Sequence, residues 1–218
     1  MDPLRYIFRK YNIHWKTKPP IEIPNTDRVD LAKLFKELGY KVGAEIGIEE
    51  GKYSKTLSQM NRGVKLYCID PWISAYDGEY RKQLNQEYMD MLMNNAITRL
   101  GRYNCEIVRK TSMEAVKDFP DNSLDFVYID GNHRFEYVVN DLAEWSKKIR
   151  PGGIVSGHDW IKMAYSSTSK NNDPIDVQEA VIGFIAAYRI RPLFILGKSA
   201  VENGERRDRS RSWFWVKL

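Results

Sequence analysis

Short apolar runs alternate with amphipathic segments along most of this 218-residue chain, and this alternation constrains its fold more than any other feature. The five successive runs with strand character are residues 42–46, 65–69, 106–109, 125–129 and 154–156. Segments in which apolar residues recur at helical spacing separate these runs. The alternation predicts an α/β domain with a mainly parallel, doubly wound sheet and helices on both faces. Two further runs, 193–196 and 212–216, predict an antiparallel pair that closes the sheet.

The glycine-containing turn after the first strand narrows the choice of ligand. A strand, a tight turn and a helix start bring backbone N–H groups close to a bound molecule. An NAD-type fingerprint, G-x-G-x-x-G, is excluded because Glu49 and Lys52 replace its second and third glycines. A phosphate-binding P-loop is also excluded. The spacing from Gly47 to Gly51 is one residue short, and Tyr53 occupies the position of the serine or threonine that holds Mg²⁺.

Acidic residues end the first two strands, and their positions favour a nucleoside ligand without phosphates. Glu45 precedes the glycine turn and suits a ligand that carries an ammonium group. Asp70 follows the second strand about one βαβ unit later, where an acid in doubly wound sheets accepts hydrogen bonds from ribose hydroxyls. S-adenosylmethionine (SAM) has all of these groups. A tight turn without a ligand and an exposed strand-end acid are the alternatives.

Two of the three histidines stand beside carboxylates at the ends of the fourth and fifth strands. The pairs are Asp130 with His133 and His158 with Asp159, and they would converge if these strands are neighbours. One interpretation is a divalent metal, Mg²⁺ or Mn²⁺, bound by the two acids and one or both imidazoles. Another is a general base that takes a proton from a hydroxyl. The third is a hydrogen-bonded polar cluster without a chemical role.

Length and composition predict a single domain, residues 26–218, preceded by an arm at residues 1–25 that is rich in proline and aromatic residues. The arm is a candidate for substrate cover or for a dimer contact, so a homo-oligomer is one expectation. No apolar run is long enough to span a bilayer, and residues 1–18 lack the apolar core of a signal peptide. With two cysteines only, a reducing compartment and a cytoplasmic location are expected.

The net charge of +5 suggests a second class of function, a protein that binds an anionic partner. Basic residues cluster at 5–18 and at 206–211, as in a catalytically silent binding protein for nucleic acid or a protein partner. Solvated surface is the simpler explanation of such runs. A pure binder also has no need of histidines and acids together at one sheet edge. The sequence therefore argues against nucleic acid and favours an enzyme.

Four segments in order resemble those of class I SAM-dependent methyltransferases. The segments are residues 44–51, 67–72, 123–133 and 150–159. They are most similar to the branch that groups catechol-type O-methyltransferases with small bacterial enzymes of glycan and antibiotic tailoring. The resemblance implies a Rossmann-like sheet of seven strands with the last one antiparallel. It also implies methyl transfer from SAM to a hydroxyl of a small molecule or sugar.

The same resemblance implies roles for individual residues. The residues expected around the methionine part, the ribose and the adenine of SAM are Glu45, Gly47, Gly51, Asp70, Pro71, Trp72, Thr111 and Ser112. Asp130 would lie beside the sulfonium and, with His133, His158 and Asp159, form the catalytic set. In relatives that use a metal, the residue at Asp130 binds the ion, so the resemblance implies Asp130, His158 and Asp159 as the metal ligands. His158 and Asp159 replace the acid–amide pair of the catechol enzymes, so a base without a metal stays an alternative. The insertion at 73–104 and the loop at 162–174 are expected to select the acceptor.

Overall fold

The computed structural model describes residues 2–74, 84–161, 175–197 and 210–218. Within these ranges the helices are Pro3–Lys10 (α1), Arg28–Glu37 (α2), Lys52–Met60 (α3), Gln86–Leu100 (α4), Ser112–Ala115 (α5), Phe135–Lys148 (α6) and Val177–Tyr188 (α7). The strands are Ile21–Ile23 (β1), Val42–Ile46 (β2), Lys65–Ile69 (β3), Cys105–Val108 (β4), Leu124–Ile129 (β5), Ile149–Gly157 (β6), Phe194–Leu196 (β7) and Trp213–Val216 (β8). A short 3₁₀ turn, Val116–Asp118, follows α5.

All of these strands form one sheet in the order β1-β7-β8-β6-β5-β2-β3-β4. β8 runs antiparallel to both of its neighbours, and every other pair is parallel. The predicted α/β class and the antiparallel last strand are therefore confirmed. The strand order reverses between β2 and β5, and ligands of doubly wound sheets bind in the crevice at this switch point.

The sheet has eight strands, whereas seven were predicted, because the N-terminal arm contributes the short strand β1. Ile21 and Ile23 are buried and the glutamate between them is exposed, a pattern of three residues that is too short to identify in a sequence. β1 pairs in parallel with β7. Ile7 of α1 is also completely buried in the core. The arm therefore packs into the same core as the rest of the described chain.

Helices cover both faces of the sheet, as predicted. One core cluster contains residues of α1, α2, α3 and α4, such as Leu31, Leu57 and Leu92. The other contains residues of α6 and α7, such as Trp145 and Val181. Both faces of the central strands are buried by these layers, so polar chemistry is confined to the edges of the sheet.

Acidic residues precede helices α2 and α7, but only the first of them caps its helix with its side chain. Asp27 caps α2, and its carboxylate accepts hydrogen bonds from two backbone N–H groups of the first turn. The neighbouring Thr26 hydroxyl donates to the carbonyl that ends β1. Asp176 makes no side-chain cap on α7, because its carboxylate accepts a hydrogen bond from the N–H of Phe135 at the start of α6. The Thr26 hydroxyl and the Asp176 carboxylate thus bind the backbone of neighbouring elements and cap no helix.

Three predictions fall outside the described residues. They concern the part of the insertion between 75 and 83, the loop at 162–174 and the basic residues 206–209. Among the helices of the described ranges, none has the length and apolar character needed to cross a membrane.

Candidate active site

A cavity of about 490 Å³ opens at the carboxyl ends of β2, β3, β4 and β5. Its size lies in the range of small-molecule sites, roughly 300–1,000 Å³. The predicted site residues that line it are Glu45, Gly47, Asp70, Pro71, Thr111, Ser112, Asp130 and His133. Four strand ends that are far apart in sequence thus contribute to one crevice at the switch point.

Gly47 lets the ends of β2 and β5 approach each other. Its φ is +82°, and a Cβ at this position would lie 2.2 Å from the carbonyl oxygen of Asp130. The N–H of Asp130 in turn donates to the carbonyl of Ile46 at 2.8 Å. A glycine is therefore required here by the close approach of two backbones, and Asp130 is held against the glycine turn as a consequence.

Two predicted cofactor residues support the turn from behind and do not line the cavity. Gly51 caps α3 in the left-handed conformation, and a Cβ there would lie 2.8 Å from a methyl carbon of Leu100. Trp72 is completely buried, and its indole N–H donates to the carbonyl of Glu49 at 2.9 Å. Both residues shape the crevice through packing.

Asp70 ties the glycine turn to the loop after β3. One carboxylate oxygen accepts a hydrogen bond from the N–H of Glu49 and the other from the N–H of Trp72, both at 2.9 Å. A carboxylate in this position of a doubly wound sheet is the group that meets ribose hydroxyls. Asp70 is buried and held in place before any ligand binds.

Glu45 forms part of the cavity wall, and its pKa is raised. It is almost completely buried, and the Ser54 hydroxyl donates to its carboxylate at 2.6 Å. Burial raises the pKa of Glu45 to about 8, and the negative charge of Asp130 adds to this effect, while the Ser54 hydrogen bond opposes it. Glu45 is therefore mostly protonated at neutral pH in the ligand-free protein.

The histidines and acids at the ends of β5 and β6 meet as predicted. The Nε2 atom of His133 lies 3.0 Å from Asp159 Oδ2 and 3.5 Å from Asp130 Oδ1. The Nδ1 atom of His158 lies 3.5 Å from Asp159 Oδ1 and 3.7 Å from Asp130 Oδ2. Because β5 and β6 are neighbours, four residues from two strand ends form one cluster beside the cavity.

The charge state of Asp159 is set by the two histidines. Burial alone would raise the pKa of this carboxyl, but the hydrogen bonds and charges of His133 and His158 outweigh it and hold the pKa well below its usual range. Asp159 is therefore ionised under all ordinary conditions and is available to orient an imidazole or to bind a cation.

One subset of the cluster has the spacing of a metal site. Asp130, His133 and Asp159 each offer one ligand atom, and these atoms lie within 4.8 Å of one another. His158, expected as the third ligand, lies farther from both carboxylates, with its ring 6.5 Å from that of Tyr128. Two carboxylates with one imidazole suit a divalent ion such as Mn²⁺, so the donor set fits the metal.

Sequence reasoning missed Asp141 of α6, which is buried and lines the cavity. The Ser112 hydroxyl donates to its carboxylate and accepts a hydrogen bond from the indole N–H of Trp145 at 2.7 Å. Burial raises the pKa of Asp141 to about 7. Its position on the apolar stripe of α6, three residues after Val138, is the signal that could have revealed it.

Arg28, the first residue of α2, also lines the cavity and was not predicted. Its guanidinium carbon lies 5.3 Å from the centre of the Tyr53 ring. The Tyr53 hydroxyl donates to the backbone carbonyl of Arg28 at 2.7 Å. No pattern in the sequence marks this residue, because its role depends on how α2 packs beside α3.

The strand order and the crevice at its switch point are those of the Rossmann-like fold that solved methyltransferases have. Residues 44–160, just over half of the chain, match the family model described as a methyltransferase domain. The chain belongs to this family, as the resemblance predicted.

Solved structures with the same fold include two O-methyltransferases. The enzyme from Bacillus cereus, in complex with S-adenosylhomocysteine (SAH), has a TM-score of 0.60 at 14% identity and covers 100% of this chain and 91% of its own. TomG from Streptomyces achromogenes, involved in tomaymycin synthesis and solved with SAM, has a TM-score of 0.59 at 14% identity, with coverage of 100% and 91%. At this identity the likeness shows the fold.

Two curated relatives are themselves described as uncharacterised. A protein of Sinorhizobium fredii is 25% identical over 120 residues, which are 55% of this chain and 12% of that protein. A protein of Acanthamoeba polyphaga mimivirus is 27% identical over 117 residues, 53% of this chain and 50% of its own length. The chain thus spans half or less of the length of each of these relatives.

Proposed function

We propose that this chain transfers a methyl group from SAM to a hydroxyl of a small molecule or sugar. The observation that carries the proposal is the convergence of Asp130, His133, His158 and Asp159 beside a cavity that is walled by Glu45 and Asp70. Family membership supports methyl transfer. The neighbours solved with SAH and SAM support the cofactor, and their description as O-methyltransferases supports oxygen as the acceptor atom.

The residues that line the cavity fit the parts of SAM, which supplies an activated methyl group when bound. The Asp70 carboxylate, at the end of the second strand of the parallel set, suits two ribose hydroxyls. Glu45 suits the ammonium group, whose positive charge would favour the ionised carboxylate. Thr111 and Ser112, at the end of β4, lie on the wall where the adenine is expected.

His133 is the proposed proton acceptor for the acceptor hydroxyl. Its Nε2 atom is held 3.0 Å from a carboxylate oxygen of Asp159, which would stabilise the imidazolium after proton transfer. Asp130 adds a second negative charge at 3.5 Å. Two carboxylates thus stand close enough to attract the positive charge that His133 would carry after proton transfer.

A divalent ion is the second candidate for this step, because Asp130, His133 and Asp159 have the spacing to hold one. The ion would supply a Lewis acid that lowers the pKa of a bound hydroxyl. The two schemes differ in the role of His133, which is a metal ligand in one and the general base in the other. Methyl transfer measured after divalent ions are removed with a chelator therefore distinguishes the two schemes.

Calorimetric titration with SAM and SAH, with and without Mg²⁺ or Mn²⁺, tests the proposal. We expect binding in the micromolar range, and a metal-dependent change would place an ion in the cluster. Transfer of a labelled methyl group to phenols and sugars, and not to amines, would establish oxygen as the acceptor atom. Absence of SAM and SAH binding under every condition would instead favour a binding protein without catalysis.

A further inference from the structure

We propose that Cys105 is a modification site, at which a small anionic disulfide forms a mixed disulfide with the protein. A basic surface cavity beside this thiol would bind the reagent. The cavity shares none of the lining residues described for the candidate active site, so the inference goes beyond the proposed function and does not depend on it.

The two cysteines of the chain lie near each other on one face of the sheet. Cys68 belongs to β3 and Cys105 to the neighbouring strand β4, where its register partner is Leu66. Residues two apart on a strand point to the same face, so Leu66, Cys68 and Cys105 share one side of the sheet. All three contact the core cluster formed with α1 to α4.

Cys105 is the accessible and reactive member of this pair. It is half-buried on a strand at one end of the sheet order, whereas Cys68 is buried. The hydrogen-bonding influence of the Cys68 thiol holds the pKa of Cys105 below its usual value against the effect of burial, and Ser58 and Lys65 act in the same direction. The same interaction and burial raise the pKa of Cys68. Since the thiolate is the nucleophile of disulfide exchange, Cys105 is the thiol that attacks.

A cavity of about 700 Å³ adjoins Cys105. Among its lining residues, Asn104 directly precedes Cys105 in the chain, and the Ser58 hydroxyl oxygen lies 3.3 Å from the Cys105 sulfur. The volume lies within the range of small-molecule sites, roughly 300–1,000 Å³. A molecule bound in this cavity would therefore lie next to the thiol.

The charge of the cavity selects an anionic reagent. Arg62 and Arg102 line it, and none of the residues described in its lining is acidic. The guanidinium carbon of Arg102 lies 5.2 Å from the centre of the Tyr103 ring, which also borders the cavity. Guanidinium groups match carboxylates with two parallel hydrogen bonds. A disulfide whose halves carry carboxylates is therefore the reagent that suits the site.

The proposed reaction is thiol–disulfide exchange. The Cys105 thiolate attacks one sulfur of the reagent, a new S–S bond forms to that half, and the S–S bond of the reagent breaks. The other half leaves as a thiolate and takes up the proton that Cys105 released. The Cys105 sulfur is oxidised and the departing half is reduced, so the step needs no other oxidant.

The mixed disulfide is expected to persist, because Cys68 is poorly placed to displace it. From the strand register, two residues of rise, about 6.6 Å, and a strand separation of about 4.8 Å put the Cα atoms of Cys68 and Cys105 about 8 Å apart. Disulfides join Cα atoms that are usually within about 6.8 Å of each other. An internal disulfide would therefore require the backbone of two paired strands to move.

The test compares two small disulfides of opposite charge. Oxidised glutathione carries carboxylates on both halves, and cystamine carries an ammonium group on each half. Intact-mass spectrometry follows adduct formation on the parent, and peptide mapping locates the adduct. With oxidised glutathione, we expect an adduct on Cys105 that is absent from Cys105→Ser and retained in Cys68→Ala. An adduct on Cys68, or an internal disulfide in place of the adduct, would overturn the proposal, and mapping of the parent decides this without any variant.

A second comparison tests the role of the cavity. Joint replacement of Arg62 and Arg102 by Met should slow the reaction with oxidised glutathione by about 3- to 10-fold, as expected for the loss of two surface charge contacts. The reaction with cystamine should be unchanged or faster. Arg5→Met removes an exposed arginine of α1 outside the cavity and should leave both rates unchanged. Equal slowing with both reagents, or no slowing with glutathione, would overturn the binding role of the cavity. Arg102→Met alone replaces the double variant if that protein does not fold.

Discussion

At the scale of single residues, the site is built from side chains whose backbone positions are dictated by close contacts. Gly47 is the clearest example, since the carbonyl of Asp130 occupies the space of a Cβ. Buried acids are the second feature, with Glu45 and Asp141 both inside the wall of the cavity. Buried acids with raised pKa values destabilise the folded state when they ionise. Such acids cluster at binding and catalytic sites, where they interact with a ligand.

Gly47→Ala should displace the end of β5. A methyl group 2.2 Å from the Asp130 carbonyl forces the two backbones apart, and φ at +82° is unfavourable for alanine. We expect a loss of about 2–4 kcal/mol in unfolding free energy, measured by urea denaturation, and a loss of SAH binding. Gly183→Ala is the control, because nothing lies within 4 Å of a Cβ on that helix position. Parent-like stability and SAH affinity in Gly47→Ala would contradict this account of the turn.

Asp141→Asn should change how stability depends on pH. The folded pKa of Asp141 is about 7, above an unfolded value of about 3.9, so the folded state keeps a proton that the unfolded state has lost between these two values. Stability of the parent therefore falls as pH rises from about 4 to 7, by up to about 1.4 kcal/mol per pH unit from this group, and levels off above 7. The asparagine variant lacks this slope.

Urea unfolding of the parent and Asp141→Asn at pH 5, 6, 7 and 8 measures the difference. The variant should gain stability relative to the parent up to about pH 7 and no more beyond it. Curves that run parallel over the whole range would show that Asp141 is not a protonated buried acid.

At the scale of secondary-structure elements, the crevice depends on two loops that hold each other. Asp70 accepts hydrogen bonds from Glu49 in the turn after β2 and from Trp72 in the loop after β3. The Trp72 indole closes the arrangement by donating to the Glu49 carbonyl. The loops are thus held together by polar contacts that need no ligand, and Asp70 serves both the protein and the proposed cofactor.

Asp70→Ala should weaken SAH binding by at least about 10-fold, because two hydrogen bonds from ribose to an ionised acceptor are lost. Trp72→Phe is the comparison, since it removes the hydrogen bond to Glu49 and part of a buried ring but leaves the Asp70 carboxylate in place. It should cost about 2–3 kcal/mol of stability and weaken SAH binding by less than Asp70→Ala does. Calorimetry and urea unfolding report the two effects separately. Equal SAH affinity in Asp70→Ala and the parent would count against the ribose assignment.

The edge strand β1 carries a separate prediction about the N-terminal arm. Ile23 is buried beside β7, so Ile23→Ala should cost about 2–4 kcal/mol of unfolding free energy through lost burial and the cavity left behind. SAH affinity of the folded variant should be unchanged, because β1 lies at the opposite edge of the sheet from β4. A stability close to that of the parent would mean that the arm does not belong to the folded core.

At the scale of the whole molecule, ligand binding should couple to global stability. The cavity is walled by residues from α2, β2, β3 and β5, so a bound cofactor contacts elements from much of the sheet. A ligand that binds only the folded state stabilises it by about 2.7 kcal/mol at one hundred times its Kd. SAH at that concentration should raise the melting temperature of the parent by several degrees. Adenosine alone should raise it less, and an equal shift for both would argue against contacts with the amino-acid part.

Much of the fold and part of the site follow from local sequence patterns. The central strands, the antiparallel strand near the C-terminus and the acids at strand ends were predicted because apolar periodicity and strand-end polarity are properties of short segments. Asp70 and Asp130 were found in this way, since parallel strands bring their carboxyl ends to one edge of a sheet. The meeting of His133 and Asp159 followed from the same rule, applied to two adjacent strands.

The tertiary structure decided what depends on contacts between distant segments. It added β1, because a three-residue strand is recognisable only by the partner it pairs with. It shows that Gly51 and Trp72 pack behind the glycine turn and do not line the cavity. It also shows that His133 has the spacing to share a metal ion with Asp130 and Asp159. It also brought Arg28 and Asp141 to the cavity from two different helices. By itself, the sequence determined which elements form, because periodicity is local; which side chains share a cavity depends on how those elements pack.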